Sequence, residues 1–293
     1  MAEHVEHLQH EAHGGHEGNP LDPKELFSHV SDSKSIHVPQ VLTSDRTGHV
    51  EIPQPFGSFK VTKFMVIELA VALILCAFFI GLGRALKGGA IPRGKFRNML
   101  EAMLLYFRDN VARPCIGHHD ADKFVPFLWT IFFFVLACNL FGMIPWMGSP
   151  TGALAVTATL ALITFLTVMG SAVAKMGPVG TLKSLVPHMD LPLPIKIPML
   201  CLMFPIEVLG LLIKHGVLAI RLLANMMAGH VVLAVILAFI AASAQSLWWW
   251  GVMPASVLGA TALSMLELFV AFLQAYIFTF LSALFIGMAI HPH

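Results

Sequence analysis

Charged side chains are scarce: Asp, Glu, Lys and Arg make up 12% of the 293 residues, where a typical soluble domain uses about a quarter. With 57% hydrophobic residues and a mean hydropathy of +0.77, the apolar runs are too long and too free of charge for a water-facing fold to hide. A soluble enzyme is excluded, and the composition is that of an integral membrane protein. The near-zero balance, a formal net charge of +1, gives no electrostatic reason for a nucleic-acid partner. Cysteine is also sparse. Cys76, Cys115, Cys138 and Cys201 are scattered, three of them in apolar runs, so they read as small buried hydrophobes and form neither a disulfide frame nor a metal site. The N-terminus lacks the basic segment followed by an apolar one that a cleavable signal peptide needs, so residues 1–62 are expected to stay on the mature chain.

That tail is polar, rich in acids and broken by Gly and Pro, with His4, His7, His10, His13 and His16 at every third position. It has no apolar face to pack, so it reads as a disordered tail, with metal binding as the alternative. Residues 63–290 form the membrane domain. Spans are expected at about 64–83, 124–145, 153–174, 198–240 and 256–290, each long enough to cross a bilayer. Between the first two, residues 93–113 place Phe96, Met99, Leu100, Met103, Leu104 and Phe107 at helical spacing with Arg97, Glu101, Arg108 and Asp109 between them, the pattern of an amphipathic surface helix. The fold class is therefore all-α, with about five transmembrane helices. The last two are overlong for a perpendicular crossing, which predicts a steeply inclined hairpin.

Basic residues set the expected orientation. The connection from Arg84 to Lys123 carries eight Lys or Arg and the connection from Lys175 to Lys196 three, whereas the segment from Trp146 to Gly152 has none. The positive-inside rule puts both basic connections in the cytoplasm, which leaves the N-terminal tail outside and His291-Pro292-His293 inside.

The informative residues are the ionisable ones within the last two spans: Glu207, Lys214, His215, Arg221, His230 and Glu267, with the amides Asn225 and Gln274. An Arg at bilayer depth costs roughly 2.5–3.5 kcal/mol on insertion scales, so it is expected to face a partner or a watery cavity. Glu207, Lys214 and Arg221 are spaced by seven and Asn225 follows by four, which makes one polar stripe. His230, nine residues beyond Arg221, falls about 180° round the helix, so two polar routes are implied. Glu267 and Gln274, again seven apart, share a face that is expected to meet the preceding helix. A desolvated carboxyl and an imidazole are suitable proton relays, whereas a guanidinium keeps its proton at any working pH. A fixed cation between two titratable routes acts as a valve. The bland reading of the same residues is a hydrogen-bonded network that holds a helix bundle together.

The run Arg221-Leu222-Leu223-Ala224-Asn225-Met226-Met227-Ala228-Gly229-His230, with Glu207 and Lys214 before it and Glu267 and Leu273-Gln274-Ala275-Tyr276 after it, resembles subunit a of F-type ATP synthases. Leu100-Glu101-Ala102, Arg113-Pro114 and Asn139-Leu140-Phe141-Gly142 extend the resemblance over roughly 64–290. It implies two offset aqueous half-channels beside a rotating c-ring, with Arg221 engaging the ring carboxylate and blocking leakage. It further implies Asn225 and Gln274 as polar neighbours of that arginine, Glu207 on the cytoplasmic route, and His230 with Glu267 on the outer route. Peripheral-stalk b subunits and the rest of the complex are the implied partners, in a bacterial inner membrane. No cofactor or metal is implied, and catalysis is expected to reside in other subunits.

Two departures from the family pattern stand out. Pro150-Thr151-Gly152-Ala153 lacks the acid that many members carry at the outer entrance, and Ala224 stands where many have Gly. Proton delivery then rests on His230 and Glu267, or on the histidines of the tail. The rival function is a stand-alone ion-coupled transporter, although the first three spans contain no repeat of the last two.

Overall fold

The computed structural model describes residues 35–37, 49–51, 62–86, 95–144, 149–184, 193–243 and 248–291. The histidine cluster at positions 4–16 lies outside these residues. Within the tail, β1 (Ser35–His37) and β2 (His49–Glu51) pair antiparallel with Ile36 opposite Val50. All other described elements are helical.

α1 (Lys63–Leu86) is a 24-residue apolar helix with Arg84 in its last turn, where a cation meets both the helix dipole and the membrane boundary. Phe64, Ile67 and Val71 bury one stripe with Cys138, while Leu69, Leu73, Ile74 and Ile80 face outward. α1 is thus peripheral, exposed to lipid over most of its girth. α2 (Lys95–Tyr106) runs through a π-helical turn, Phe107–Ala112, into the short α3 (Arg113–Ile116). The wide turn directly precedes Pro114, whose ring would collide with the carbonyl four residues back in a regular helix. Leu100, Phe107, Val111, Ala112 and Ile116 are buried and join the central core, so this amphipathic segment docks against the bundle with its apolar face.

α4 (Ala121–Gly142) and α5 (Leu154–Ser184) are joined through a 3₁₀ turn at Pro150–Gly152. The third span continues past the expected end at 174: α5 breaks at Gly177 (φ 74°), and Pro178, pre-set for the first position of a helix, opens further helical turns to Ser184. α6 (Leu193–Ser243) and α7 (Trp249–Ile290) are the two long helices, 51 and 42 residues. The apolar part of α6, Cys201–Ile240, has 40 residues. At about 1.5 Å per residue that is roughly 60 Å against a hydrocarbon core of about 30 Å, about twice what a perpendicular crossing needs.

α7 is the central element: it packs against α3, α4, α5 and α6. Ala275, Phe278, Ala283 and Ile286 are fully buried along it. Near its end, a Cβ at Gly287 would overlap the backbone of Cys115, so only glycine lets α7 approach α3 this closely. The bundle is pinned at that end. Asp120 accepts from Lys175 at 2.7 Å and Lys123 at 3.1 Å, Arg108 grips Asp122 at 2.8 Å, and His291 Nε2 lies 3.2 Å from the carbonyl of Ile116. Hydrogen bonds from Lys175 and Lys123 hold the Asp120 carboxyl down at about 2, so it stays ionised at any physiological pH. The two basic connections are therefore tied together at one end of the molecule.

Candidate functional site

Along α6 the buried stripe is His215, Leu218, Leu222 and Met226, at helical spacing toward α5 and α7. The opposite face, with Ile206, Leu209, Ile213, Val217 and Ile220, is exposed and apolar. Glu207 and Lys214 are exposed, while Arg221 and Asn225 are half-buried at the margin between the two faces. Among the described residues no carboxylate lies within ion-pair distance of Arg221.

The helices cross-link through the expected polar positions. Asn225 Nδ2 donates to Gln274 Oε1 at 2.9 Å, and His230 Nδ1 lies 3.0 Å from Glu267 Oε1. The order is antiparallel, as the hairpin requires. Gln274 is 1% exposed, and its Nε2 has no partner among the described residues, an unusual cost for a buried amide. Glu267 is buried as well, at 7% exposure. Its carboxylate meets His230 Nδ1 outside the line of a ring N–H, so the pair is in electrostatic contact without an aligned hydrogen bond.

His230 is oriented from its other side. Nε2 lies 2.9 Å from the carbonyl of Gly142 at the end of α4. A carbonyl only accepts, so Nε2 carries the hydrogen, and the Nδ1–Glu267 contact holds at most one exchangeable proton: on the carboxyl, or on the ring as imidazolium. Beside it runs a buried chain whose direction is fixed. Thr151 Oγ1 donates to Asn139 Oδ1 at 2.8 Å, so Ser149 Oγ, also 2.8 Å away, must donate to Thr151. Asn139 Nδ2 then donates to the carbonyl of Ala271 on α7 at 3.3 Å.

Several of these groups had no assigned role on sequence grounds. Gly229 is the clearest case, because a Cβ there would sit 2.7 Å from Glu267 Oε1. A glycine next to a histidine inside an apolar helix is the available signal, since small residues in membrane helices mark close approach. Gly142, Ser149, Thr151 and Asn139 show only as scattered polar or small residues until the turn brings them together.

Two recesses adjoin the polar positions. A groove of about 250 Å³ between α6 and α7 is lined by Asn225, Met226, Gly229, Leu263, Leu266 and Glu267, so it connects the Glu267 carboxylate with the Asn225 margin. A cavity of about 150 Å³ lies further toward the start of α6, lined by Glu207, Lys214, His215, Thr181, Ser184 and Phe285, among others. The two are separated along α6 by the level of Arg221. The sequence-predicted residues thus fall into three sets: His230 with Glu267, Asn225 with Gln274 beside Arg221, and Glu207 with Lys214 and His215 on the 150 Å³ cavity.

Five membrane-length helices, the two longest cross-linked by ionisable and amide groups inside apolar sequence, define a multi-pass helical membrane protein with a polar interior. A family model described as "ATP synthase A chain" matches residues 64–287, and the chain belongs to that family. It is 43% identical over 236 residues to "ATP synthase subunit a" of Myxococcus xanthus (strain DK1622), covering 80% of this chain and 75% of that one. It is 41% identical over 249 residues to "ATP synthase subunit a" of Chloroherpeton thalassium (strain ATCC 35110 / GB-78), covering 83% and 71%. With the same-named protein of Chlorobium phaeobacteroides (strain DSM 266 / SMG 266 / 2430) the identity is 36% over 277 residues, covering 90% and 74%. The family assigns the chain to the membrane sector of the ATP synthase complex.

Proposed function

We propose that this subunit is the stationary proton conductor of the synthase, passing protons to and from a rotating c-ring through two half-channels kept apart by Arg221. The observation that carries the reading is the state of Arg221: a permanent cation within the apolar reach of α6, half-buried, with no carboxylate partner among the described residues. A guanidinium at this depth is costly, roughly 2.5–3.5 kcal/mol on insertion scales, unless a counter-charge comes from outside the chain. The exposed apolar face of α6 beside it suits a ring of helices, each presenting one carboxylate.

In this reading the outer route reaches His230 and Glu267. The pair holds one transferable proton, and the groove toward Asn225 passes it to the ring. Asn225 and Gln274 keep the margin polar next to Arg221. The inner route is the Glu207 cavity. Arg221 discharges the incoming ring carboxylate and, because it does not give up its own proton, separates the two routes. Each proton crossing the potential supplies about 2.3 kcal/mol per 100 mV, so several ring steps must accumulate for one ATP. A leak past Arg221 would dissipate that work.

The subunit is non-catalytic by itself and partners the c-ring, the peripheral-stalk b subunits and the bilayer of a bacterial inner membrane. The end pinned by Asp120, Lys123 and Lys175 faces the cytoplasm, and residues 1–62 form an extracytoplasmic tail ahead of the membrane domain at 63–290. The test is Arg221→Ala in the assembled complex: proton-driven ATP synthesis is abolished. Unimpaired synthesis would reduce the chain to a structural anchor, and proton flux from the isolated subunit in vesicles would instead favour a stand-alone transporter.

A further inference from the structure

His215 has no part in the scheme above, yet among the described residues it is the most enclosed ionisable group on the Glu207 side of Arg221. It is 5% exposed, and its ring is held between Phe165 (centroids 5.3 Å, edge-on) and Phe285 (4.9 Å). Nδ1 lies 2.9 Å from the carbonyl of Leu211, which accepts only, so in the neutral ring Nδ1 bears the hydrogen and Nε2 keeps its lone pair. Nε2 is buried without a hydrogen-bond partner among the described residues, and the ring lines the 150 Å³ cavity. Buried nitrogens are rarely left unpaired in an apolar site that cannot take water.

The cavity has the size and lining for water. A water molecule needs about 10–15 Å³ of free volume, so the cavity has room for several. Thr181 Oγ1 donates to the Gly177 carbonyl and Ser184 Oγ to the Thr181 carbonyl, each at 2.9 Å, which leaves both hydroxyl oxygens as acceptors. The Glu207 carboxylate and Nε2 add further acceptors, and the Lys214 ammonium supplies donors. Water there would meet the two to four polar partners it needs. Toward Arg221 the same stripe continues with Leu218 and Leu222, both at most 1% exposed, so the cavity is closed on that side.

We infer that His215 is a proton-accepting residue at the blind end of the inner water path, with Nε2 as the terminal acceptor. The inference rests on the inner-route reading of Glu207. A hydronium in the cavity transfers a proton to the Nε2 lone pair: an O–H bond breaks, an N–H bond forms, and the hydronium becomes water. The imidazolium keeps its Nδ1–H on Leu211 and returns the Nε2 proton to a water bound at Glu207. Among the described residues, the titratable or charged groups facing the ring are Lys214 and Glu207 of α6. From α5 Phe165 packs on the ring while Thr181 and Ser184 line the same cavity, and from α7 Phe285 packs on it while Met288 lines the cavity.

The experiment uses the whole complex in vesicles and records proton flux against cytoplasmic-side pH, for His215→Gln, His215→Phe and Glu207→Gln. A second set places His215→Cys or Glu207→Cys in a chain whose four native cysteines are alanine, treated with a small water-soluble thiol reagent from the cytoplasmic side. His215→Gln keeps an acceptor but no proton site, so the flux is expected to lose whatever pH inflection the imidazole contributes. His215→Phe, which fills the space and excludes the water, should lower flux about tenfold. The thiol at 215 should react and block flux. A wild-type pH profile in His215→Gln, or an unreactive thiol at 215, overturns the inference. If position 207 reacts and Glu207→Gln is slow while 215 behaves as wild type, only the His215 role falls. Wild-type flux in Glu207→Gln with no reaction at either position brings down the inner-route reading as well. Should His215→Phe fail to assemble, the pH profile of His215→Gln and the thiol reaction decide the matter.

Discussion

Gly229→Ala tests the His230–Glu267 pair without touching an ionisable group. The new Cβ would stand 2.7 Å from Glu267 Oε1 and 3.0 Å from its Cδ, closer than carbon and oxygen tolerate, so the carboxylate must retreat by about half an ångström or more. The obstructing atoms are the end of a flexible side chain, so the helices need not separate. Alanine also favours the helix over glycine by about 1 kcal/mol, which offsets part of the crowding. Assembly should therefore survive. What changes is the 3.0 Å approach of Glu267 to His230, because the carboxylate has to swing away from α6. Weakening that contact by about 1.4 kcal/mol in the transfer step slows flux about tenfold. The assay is ATP-driven acidification and acid-pulse ATP synthesis in vesicles, with subunit content measured by immunoblot. A double-mutant cycle with Glu267→Gln isolates the cause: if glycine acts through Glu267, the second substitution adds no further loss. Normal flux in Gly229→Ala, or fully additive losses in the pair, would refute the claim that position 229 exists to seat the carboxylate.

Other outcomes follow from the same geometry. Arg221→Lys should fail nearly as completely as Arg221→Ala, because lysine sheds its proton in a low-dielectric site; proton-driven ATP synthesis measures this. Glu267→Gln should strongly reduce proton flux, and wild-type flux would remove it from the relay. Gly287→Ala should block accumulation of the subunit, seen as loss of the assembled complex on a native gel, because the obstruction at Cys115 is backbone and cannot move aside. The Asp120 carboxyl is held down at about 2, so its contribution to folding is present above its ordinary value near 4 and is lost only as pH falls through about 2. Hydrogen exchange at residues 117–123 should therefore be equally protected at pH 7 and pH 5, and Asp120→Asn should remove that protection.

Much was legible from the sequence because hydrophobicity and charge act locally. A run of apolar residues marks a span wherever it later packs, so the five membrane crossings, the amphipathic segment before the second and the two overlong helices were all readable. The boundaries drifted where single residues overrule composition: Gly177 and Pro178 break and restart α5 inside what reads as a loop, and Pro114 widens the turn before it. The pairing of Asn225 with Gln274 and of His230 with Glu267 was foreshadowed by sevenfold spacing, since a shared face has to meet something.

What only the tertiary structure decided is which distant groups complete each site. Gly142 lies 88 positions from the His230 it orients, and Asn139 lies 132 from the Ala271 carbonyl that receives its amide. No periodicity encodes such distances, because they depend on how α4, α6 and α7 cross and on glycines whose value is the volume they leave empty. His215 illustrates the same limit. In the sequence it is one more histidine in an apolar run; in the fold its neighbours on α5 and α7 enclose one nitrogen and leave the other facing a cavity. The sequence determined which residues could bear charge in the membrane, and packing decided which of them meet each other and which face water.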